Sequence, residues 1–349
     1  MVNAMIGRHT ARPKHLTACL FALLALVASG CIRAENSGTT NSNSNSSATT
    51  NTAGAGGGAG KKLRVGFSQM ENDGPWRIAE TRSMEDEAKK RGYEVVIRDA
   101  RGSTAQQVSD IENLVAQKVD AIFVAPREKT GLESALQAAR EAKIPIFLID
   151  REANGTPGQD FVAFLGSNFI EQGRRAAEWL AQTTNGNAKI VEISGSPGAS
   201  VTQDRAKGFK DELQKHSGMQ IIASQTGDFN RAKAQSTMEN IIQAQGQNIT
   251  AVYTHSDEMA MGAIQALKAA GRKPGQDVIV VSVDGQKSAL EAIAGGELGA
   301  TVESNPRFGP LAFDTLEKFK RGEQIPAKVI LEDRFFDKSN ASQFVAEAY

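Results

Sequence analysis

Residues 121–151 read AIFVAPREKTGLESALQAAREAKIPIFLIDR, with two apolar runs on either side of a polar segment of helical length. The predicted strands at 121–125 and 145–150 are continuous in apolar side chains up to Asp150, which is typical of strands covered on both faces of a parallel sheet. The segment at 130–143 predicts a helix between them. A strand–helix–strand unit of this kind indicates the α/β class.

The same alternation continues on both sides of this unit. The predicted strands are residues 63–67, 93–98, 121–125, 145–150 and 161–165, then 188–193, 219–224, 251–254, 278–283 and 300–302. The predicted helices are residues 76–91, 104–117, 130–143, 169–182, 201–216, 231–245 and 258–270. About 290 residues are more than one hydrophobic core usually supports, so two sets of strands predict two doubly wound parallel-sheet lobes.

Residues 1–30 have the pattern of a secretion signal. Basic Arg8, Arg12 and Lys14 precede an apolar run at 16–27, which is too short for a permanent membrane-spanning helix. The signal predicts export, to the periplasm or the cell surface.

The signal ends in Ala28-Ser29-Gly30-Cys31, which resembles the lipobox of bacterial lipoproteins. The resemblance implies that the Cys31 sulfur carries a lipid that anchors the protein to a membrane. Cys19 leaves with the signal, so Cys31 has no intramolecular disulfide partner, which also favours lipidation. An ordinary signal followed by an incidental cysteine is the alternative.

The lipidated cysteine and a polar tether make up residues 31–60. From residue 36 to 60 the chain is rich in Asn, Ser, Thr and Gly, has no charged side chain and has almost no large apolar one. Such a composition cannot bury enough apolar surface to fold, so it predicts a disordered tether.

Charge and histidine content exclude several classes of protein. The whole chain has 40 basic and 40 acidic residues, and loss of the signal leaves a slightly acidic protein, so nothing predicts nucleic-acid binding. His9 and His15 leave with the signal, while His216 and His255 are far from any Cys or carboxylate cluster at ligand spacing. We therefore predict no metal and no cofactor.

Polar and aromatic residues follow most of the predicted strands. Because ligands of such sheets bind beyond the carboxyl ends of the strands, these are candidate site residues. Carboxylates and amides suit sugar hydroxyls, guanidinium groups suit paired oxygens, and aromatic rings suit C–H faces. The segments concerned are 68–77, 150–151, 195–205, 227–229, 256–257, 284–285 and 303–305.

From about residue 64 to 320 the chain resembles the ribose-type periplasmic sugar-binding proteins, particularly their galactofuranose-binding branch. The matching segments are VGFSQ at 65–69, Trp76-Arg77, DAIFVAP at 120–126, IPIFLIDR at 144–151, GASV at 198–201 with Arg205 and KGF at 207–209, SQTGDFNR at 224–231, HSDEM at 255–259, SVDG at 282–285 and GPLAF at 309–313 with LEK at 316–318.

The resemblance implies a periplasmic binding protein of type I, with its lobes joined by a three-strand hinge. The first lobe would comprise residues 61–166 and 306–331, and the second 167–305 and 332–349. The three crossovers would then fall near Ser167, Asn305 and Leu331.

The resemblance also assigns roles to site residues. Trp76 would stack on a sugar face, Asp150 and Arg151 would hold hydroxyls from the first lobe, and Asn305 would lie at a hinge strand. The second lobe would contribute three further side chains, Arg205, Phe229 and Asp284. The predicted set is completed by Gln69, Arg77, Ser256 and Asp257.

Three departures from the family disfavour ribose itself. Ser256 stands where relatives often have Asn, Asn305 stands where ribose binders have Gln, and Arg77 replaces a second aromatic residue. The predicted ligand is therefore a monosaccharide similar to galactofuranose.

The implied function is capture of the sugar by hinged lobe closure and its delivery to the membrane subunits of an ABC importer, by a monomer without enzymatic activity. Alternatives stay open at this point. A sugar receptor for a chemotaxis or sensor protein would have the same sequence features. A secreted glycosidase could use Asp150 and Asp284 as paired carboxylates. A regulator of the lac-repressor type shares the two-lobed core but would have a DNA-binding module in place of the signal and tether.

Overall fold

The computed structural model describes residues 62–349. The predicted signal peptide, the predicted lipidation of Cys31 and the predicted tether at 31–60 lie outside the described residues.

Within residues 62–349, none of the helices is long and apolar enough to cross a bilayer.

Strands and helices alternate along most of the described chain. The strands are β1 (Arg64–Gln69), β2 (Glu94–Asp99), β3 (Ala121–Val124), β4 (Ile146–Ile149), β5 (Ala163–Ser167), β6 (Asn187–Ser194), β7 (Gly218–Thr226), β8 (Ala251–Thr254), β9 (Ile279–Asp284), β10 (Ala300–Glu303), β11 (Lys328–Leu331) and β12 (Phe335–Asp337). The helices are α1 (Gly74–Lys90), α2 (Thr104–Ala116), α3 (Glu133–Glu141), α4 (Phe169–Thr183), α5 (Ser200–Leu213), α6 (Arg231–Gln245), α7 (Asp257–Ala269), α8 (Lys287–Ala294), α9 (Gly309–Lys320) and α10 (Ala341–Phe344).

These strands form two six-stranded sheets. The first sheet has the order β11-β5-β4-β3-β1-β2, and every neighbouring pair in it is parallel. The second has the order β12-β10-β9-β8-β6-β7, with only β12 antiparallel to its neighbour. The prediction of an α/β protein with two parallel sheets is confirmed.

Each sheet has a hydrophobic core on both of its faces, which explains the continuous apolar runs. In β3, Phe123 packs with α1 and α9 on one face, whereas Ile122 and Val124 pack with α2 and α3 on the other. The second sheet has two cores of the same kind, one beneath α4 and α5 and the other beneath α6, α7 and α8.

The chain passes between the two sheets three times: after β5, between β10 and α9, and between β11 and β12. After the second crossing, α9 returns to the first sheet and packs on α1. Arg91 binds Glu317 at 2.9 Å and Asp314 at 2.6 Å across this contact. The predicted boundaries between the two lobes, at 166/167, 305/306 and 331/332, stay a prediction.

Helices α4 and α5 cross at glycines on both sides. A Cβ atom at Gly208 of α5 would lie 1.8 Å from the carbonyl oxygen of Ile170, and one at Gly173 of α4 would lie 2.1 Å from that of Arg205. The two backbones can approach this closely only because neither residue has a side chain. This packing places Gln172 of α4 within hydrogen-bond distance of Arg205 in α5.

Candidate functional site

A cavity of about 610 Å³ lies between the two sheets. Its walls come from the loops that follow β1, β3 and β4 in the first sheet and β6, β7, β8 and β9 in the second. The cavity therefore lies beyond the carboxyl ends of the strands, as expected for doubly wound sheets, and its volume is typical of small-molecule sites.

The structure brings most of the predicted site residues together. Eight of the eleven line the cavity: Trp76, Arg77, Asp150, Arg151, Arg205, Phe229, Ser256 and Asp284. Their side chains come from segments up to two hundred residues apart in the sequence. Their roles in ligand binding stay a prediction.

The other three, Gln69, Asp257 and Asn305, do not line this cavity in the described structure. Each instead bonds to neighbouring protein groups. The side-chain amide of Gln69 donates to Glu80 Oε2 at 2.8 Å, and the side-chain Oδ1 of Asn305 accepts from the backbone N–H of Arg307 at 2.9 Å.

Asp257 is fully buried behind the cavity wall. Its carboxylate accepts hydrogen bonds from the Ser282 hydroxyl, from the Thr301 hydroxyl at 2.7 Å and from the backbone N–H of Gln286 at 2.8 Å. Asp257 therefore supports the site from behind in this structure, and its predicted role in ligand binding stays a prediction.

Several further side chains of the lining were not among the predicted residues. A sequence signal existed for some of them, because Arg127 comes two residues after the apolar strand at 121–125 and Asp228 precedes Phe229. The first turns of helices contribute Arg231, Lys233 and Glu258. In a helix the sequence gives less indication of which way a side chain points. The additional charged residues of the lining are Glu71, Asp73, Arg127, Asp228, Arg231, Lys233 and Glu258.

On the first-sheet side, Arg77 is shared by two carboxylates. It donates to Glu80 Oε2 at 2.8 Å and to Asp150 Oδ2 at 2.7 Å. Arg151 lies on the other side of Asp150, with its Nε 3.6 Å from the same oxygen. Asp150 is therefore held between two buried guanidinium groups, and its orientation towards the cavity is fixed.

Burial dominates the protonation of this cluster. Burial and, to a smaller extent, repulsion from Asp150 raise the pKa of Glu80 to about 7, even though Arg77 opposes the shift. Burial and repulsion from Arg77 lower the pKa of Arg151 to about 9. The carboxylates of the protein thus neutralise the buried Arg151 only in part. This incomplete compensation favours contact of Arg151 with ligand oxygens.

On the second-sheet side, Arg205 is almost fully buried and is held by three groups. It donates to Gln172 Oε1 at 2.9 Å, to the backbone carbonyl of His255, and to Asp284 Oδ1 at 3.5 Å. Burial raises the pKa of Asp284 well above its ordinary value, with Arg205 acting in the opposite direction. Two Arg–Asp pairs, one from each sheet, therefore meet in one cavity.

Backbone conformation also marks this cavity. Four non-glycine lining residues have positive φ: Asp150 (62°), Asp228 (57°), Phe229 (55°) and Asp284 (136°). Such conformations cost free energy, least for Asp at φ near 60° and more for the bulky Phe229 and for Asp284 at 136°, and they occur mainly where surrounding structure fixes a functional side chain. At Asp150 and Asp284 the strained residue directly follows the end of a strand or is its last residue.

The cavity has two aromatic residues and unpaired donors. Arg77 lies over the Trp76 ring at 4.6 Å, and Arg151 lies over the Phe229 ring at 5.3 Å. Arg127 Nη1 and Arg151 Nε are buried without a hydrogen-bond partner among residues 62–349. Since buried donors are normally paired, these two are suited to oxygen atoms of a ligand.

Direct hydrogen bonds join the two sides around the cavity. The backbone N–H of Lys129 donates to the Gly198 carbonyl at 3.0 Å, and that of Glu152 donates to the Ser200 hydroxyl at 2.9 Å. The Trp76 indole N–H donates to the Ser304 carbonyl at 2.8 Å. In this arrangement a small molecule in the cavity is in reach of both sheets.

The buried carboxyls predict an unusual dependence of stability on pH. Burial raises the pKa of Glu80 to about 7 and of Asp257 to about 6, so between about pH 4.5 and 7 the folded protein binds more protons than the unfolded chain. The free energy of unfolding should therefore rise by about 1 to 3 kcal/mol as pH falls from about 8 to about 5.5. His255, whose pKa burial lowers, acts in the opposite direction. Urea denaturation at the two pH values measures the difference.

The matched variant is Glu80→Gln, which should show a smaller rise over the same interval because it lacks the proton taken up at Glu80. Equal or lower stability of the wild type at about pH 5.5 would contradict the expectation.

Comparison with known proteins places these features in a family. Residues 65–324 match the model of the periplasmic binding protein domain. The galactofuranose-binding protein of Escherichia coli (strain K12) is 41% identical over 272 residues, which cover 77% of this chain and 86% of that protein. The ribose import binding protein of Bacillus subtilis (strain 168) is 34% identical over 266 residues, covering 76% of this chain and 84% of the relative.

A solved structure agrees with the fold. The periplasmic binding protein component of the arabinose ABC transporter from Shewanella sp. ANA-3, bound to α- and β-L-arabinofuranose, superimposes with a TM-score of 0.79 at 37% identity, covering 82% of this chain and 95% of that one. The match in sequence extends over most of the two-sheet structure and includes the segments that form the cavity. The chain belongs to the family of periplasmic binding proteins.

Proposed function

We propose that this chain is an extracytoplasmic receptor that binds a monosaccharide similar to galactofuranose and delivers it to an ABC importer. The relatives named above are described as binding galactofuranose, ribose and arabinofuranose, and one is a component of an ABC transporter. Two of the three names specify a five-membered ring, which supports a furanose as the preferred form of the ligand.

The observation that carries the proposal is the pairing of Arg77 with Asp150 and of Arg205 with Asp284 on opposite sides of one cavity. A furanose presents hydroxyls that both donate and accept, so each carboxylate can accept one and each guanidinium can donate to another. The rings of Trp76 and Phe229 supply apolar surface for the C–H faces.

Lobe closure is the proposed means of capture. A sugar held by Asp150 and Arg151 offers its remaining hydroxyls to Arg205 and Asp284, so bound sugar adds stability to the arrangement with both sides in contact. Binding then shifts the population towards that arrangement through differential affinity. A micromolar dissociation constant corresponds to about 8 kcal/mol, which a few charge-assisted hydrogen bonds and one stacked ring can supply.

Binding without hydrolysis is part of the proposal. A glycosidase needs one carboxyl to protonate the leaving group and another as base or nucleophile. Asp150 accepts from Arg77 and lies beside Arg151, and Asp284 accepts from Arg205, so arginine side chains engage oxygen atoms of both. Both carboxyls are thus arranged as hydrogen-bond partners for hydroxyl groups.

The test of this function is calorimetric titration of residues 61–349 with D-galactose, L-arabinose, D-ribose and the methyl furanosides and pyranosides of galactose. The glycosides fix the ring form, so they separate furanose from pyranose preference. We expect binding with a 1:1 stoichiometry, a preference for furanosides and no release of methanol on standing. Absence of binding to every sugar would refute the proposal, and released methanol would indicate a glycosidase.

Lipid anchoring through Cys31 is proposed for the mature protein. In bacteria expressing the full chain, wild type should sediment with membranes, whereas Cys31→Ser should appear in the soluble extracytoplasmic fraction because a serine hydroxyl cannot form the thioether. Cys19→Ser is the matched control and should behave as wild type, since Cys19 lies within the predicted signal. Membrane sedimentation of Cys31→Ser would contradict the anchor.

A further inference from the structure

Gln172 joins the cavity to the connections between the two sheets. It lies near the start of α4 and is 1% exposed. Its side-chain oxygen, Oε1, accepts from Arg205 Nε at 2.9 Å. Its amide nitrogen donates to Asp333 Oδ2 at 2.8 Å and to the Glu303 carbonyl at 3.2 Å.

Asp333 extends these contacts to all three connections. Its other carboxylate oxygen accepts from the Ser167 hydroxyl at 2.9 Å. Ser167 is the last residue of β5, Glu303 is the last residue of β10, and Asp333 lies between β11 and β12. One partly buried cluster of hydrogen bonds therefore touches the chain at each of its three passages between the sheets.

The chemistry of this cluster requires an amide at position 172. Arg205 can only donate, whereas the ionised Asp333 and the Glu303 carbonyl can only accept. The glutamine side chain has an acceptor for the first and two donors for the others, so every atom of the amide is used in one orientation. A carboxylate would face two acceptors, and an apolar side chain would leave both Arg205 Nε and Asp333 without this partner.

We propose that Gln172 is a positioning residue for sugar binding, which orients Arg205 in the cavity and couples its position to the three connections. The inference rests on the proposed function, since it concerns how the same cavity recognises sugar. Gln172 does not line the cavity, so its effect must pass through Arg205.

Protonation of Asp333 gives this coupling a pH dependence. Burial raises the pKa of Asp333 to about 6, with Glu303 acting in the same direction and Arg205, Gln172 and Ser167 opposing it. Arg175 donates to the backbone carbonyl of Asp333 rather than to its carboxylate. A protonated Asp333 can itself donate to the Gln172 carbonyl, which releases the amide from the orientation that serves Arg205. Sugar affinity should therefore fall as pH drops through about 6.

The experiment compares wild type with Gln172→Met and Asp333→Asn, and with Gln182→Met as matched control, because Gln182 lies in the last turn of the same helix and is exposed. The probe is the sugar that binds wild type most tightly among D-galactose, L-arabinose, D-ribose and the methyl furanosides and pyranosides of galactose. Calorimetry gives the dissociation constant at about pH 7.5 and pH 5.5, and thermal unfolding without sugar gives stability.

We expect Gln172→Met to weaken binding about tenfold to a hundredfold at the higher pH, and Gln182→Met to leave it unchanged. The loss of affinity between the two pH values should be smaller in Asp333→Asn than in wild type. The double variant Gln172→Met/Asp333→Asn should raise the dissociation constant by less than the product of the two single-variant factors, since both residues act through one cluster.

An unchanged dissociation constant in Gln172→Met, with or without a lower melting temperature, would refute the positioning role. A wild-type protein that binds none of the sugars of that panel would instead refute the proposed function, and this inference with it. The two failures are distinguishable because the first is measured against wild-type binding.

Discussion

Replacing Asp150 by alanine is expected to weaken sugar binding by about 3 kcal/mol, roughly a hundredfold. Two effects add in this variant. The sugar loses a carboxylate acceptor, so a hydroxyl donor stays buried without a partner. Arg77 and Arg151, which both contact Asp150, also lose the carboxylate that they share and keep only the attraction of Glu80 and Glu71. Calorimetric titration with the sugar that binds wild type measures the loss.

Two variants separate the causes. Asp150→Asn keeps the shape and tolerates the positive φ of 62° at this position, so it should fold more stably than Asp150→Ala while still losing much of the affinity. Asp86→Ala is the matched control, because the Asp86 side chain is exposed and its ion pair with Arg82 is a long one of 3.9 Å. Wild-type affinity in Asp150→Ala would contradict a binding role.

Replacing Gly208 by alanine is expected to lower the free energy of unfolding by about 3 kcal/mol. In an ordinary helix this substitution is slightly stabilising, since alanine is the better helix former. Here the new methyl group would lie 1.8 Å from the Ile170 carbonyl oxygen, so α4 and α5 must separate. Urea denaturation monitored by circular dichroism measures the loss of stability.

The matched substitution is Gly295→Ala at the end of α8. A Cβ atom there would meet its nearest neighbour, the Glu291 carbonyl oxygen, at an ordinary 3.4 Å, and Gly295 has negative φ. It should be neutral within about 0.5 kcal/mol, as is usual for surface substitutions. Equal stability of the two variants would show that α4 and α5 can adjust, and that the close crossing is not required.

The sequence was sufficient to predict strands β1 to β10 of the two sheets, because most of these strands are buried on both faces. Runs such as 121–125 and 145–150 have no alternation to misinterpret, and the structure places strands within two residues of both. The predicted helix at 130–143 is longer than α3, which begins at Glu133 after a turn where Gly131 has φ of 94°. Boundaries depend on such local conformations, which periodicity does not reveal.

The elements omitted from the sequence prediction are short or lie near the carboxyl terminus. β11 and β12 have only four and three residues and lie at sheet edges, where exposed positions interrupt the apolar pattern. α8 has eight residues, too few for a clear helical period. α9 was not predicted as a helix, although its segment contributed to the family resemblance.

The candidate site was predictable where a residue directly follows a strand, as for Asp150, Arg151 and Asp284. It was not predictable where the side chain direction depends on tertiary packing. Asp257 also comes after a strand, but Ser282 and Thr301 turn its carboxylate away from the cavity. Glu80 and Gln172 lie within helices, and only the distances to Arg77 and Arg205 reveal their importance.

The hydrogen bond from the Trp76 indole to Ser304 gives the protein an intrinsic optical reporter. The chain has two tryptophans, and the other, Trp179, packs against Gly299 away from the cavity lining. Indole emission depends on the polarity around the ring, so a change at the cavity alters the Trp76 component while the Trp179 component remains as a constant reference. Rapid-mixing fluorescence of the unlabelled protein can therefore follow the proposed lobe closure, without an added dye.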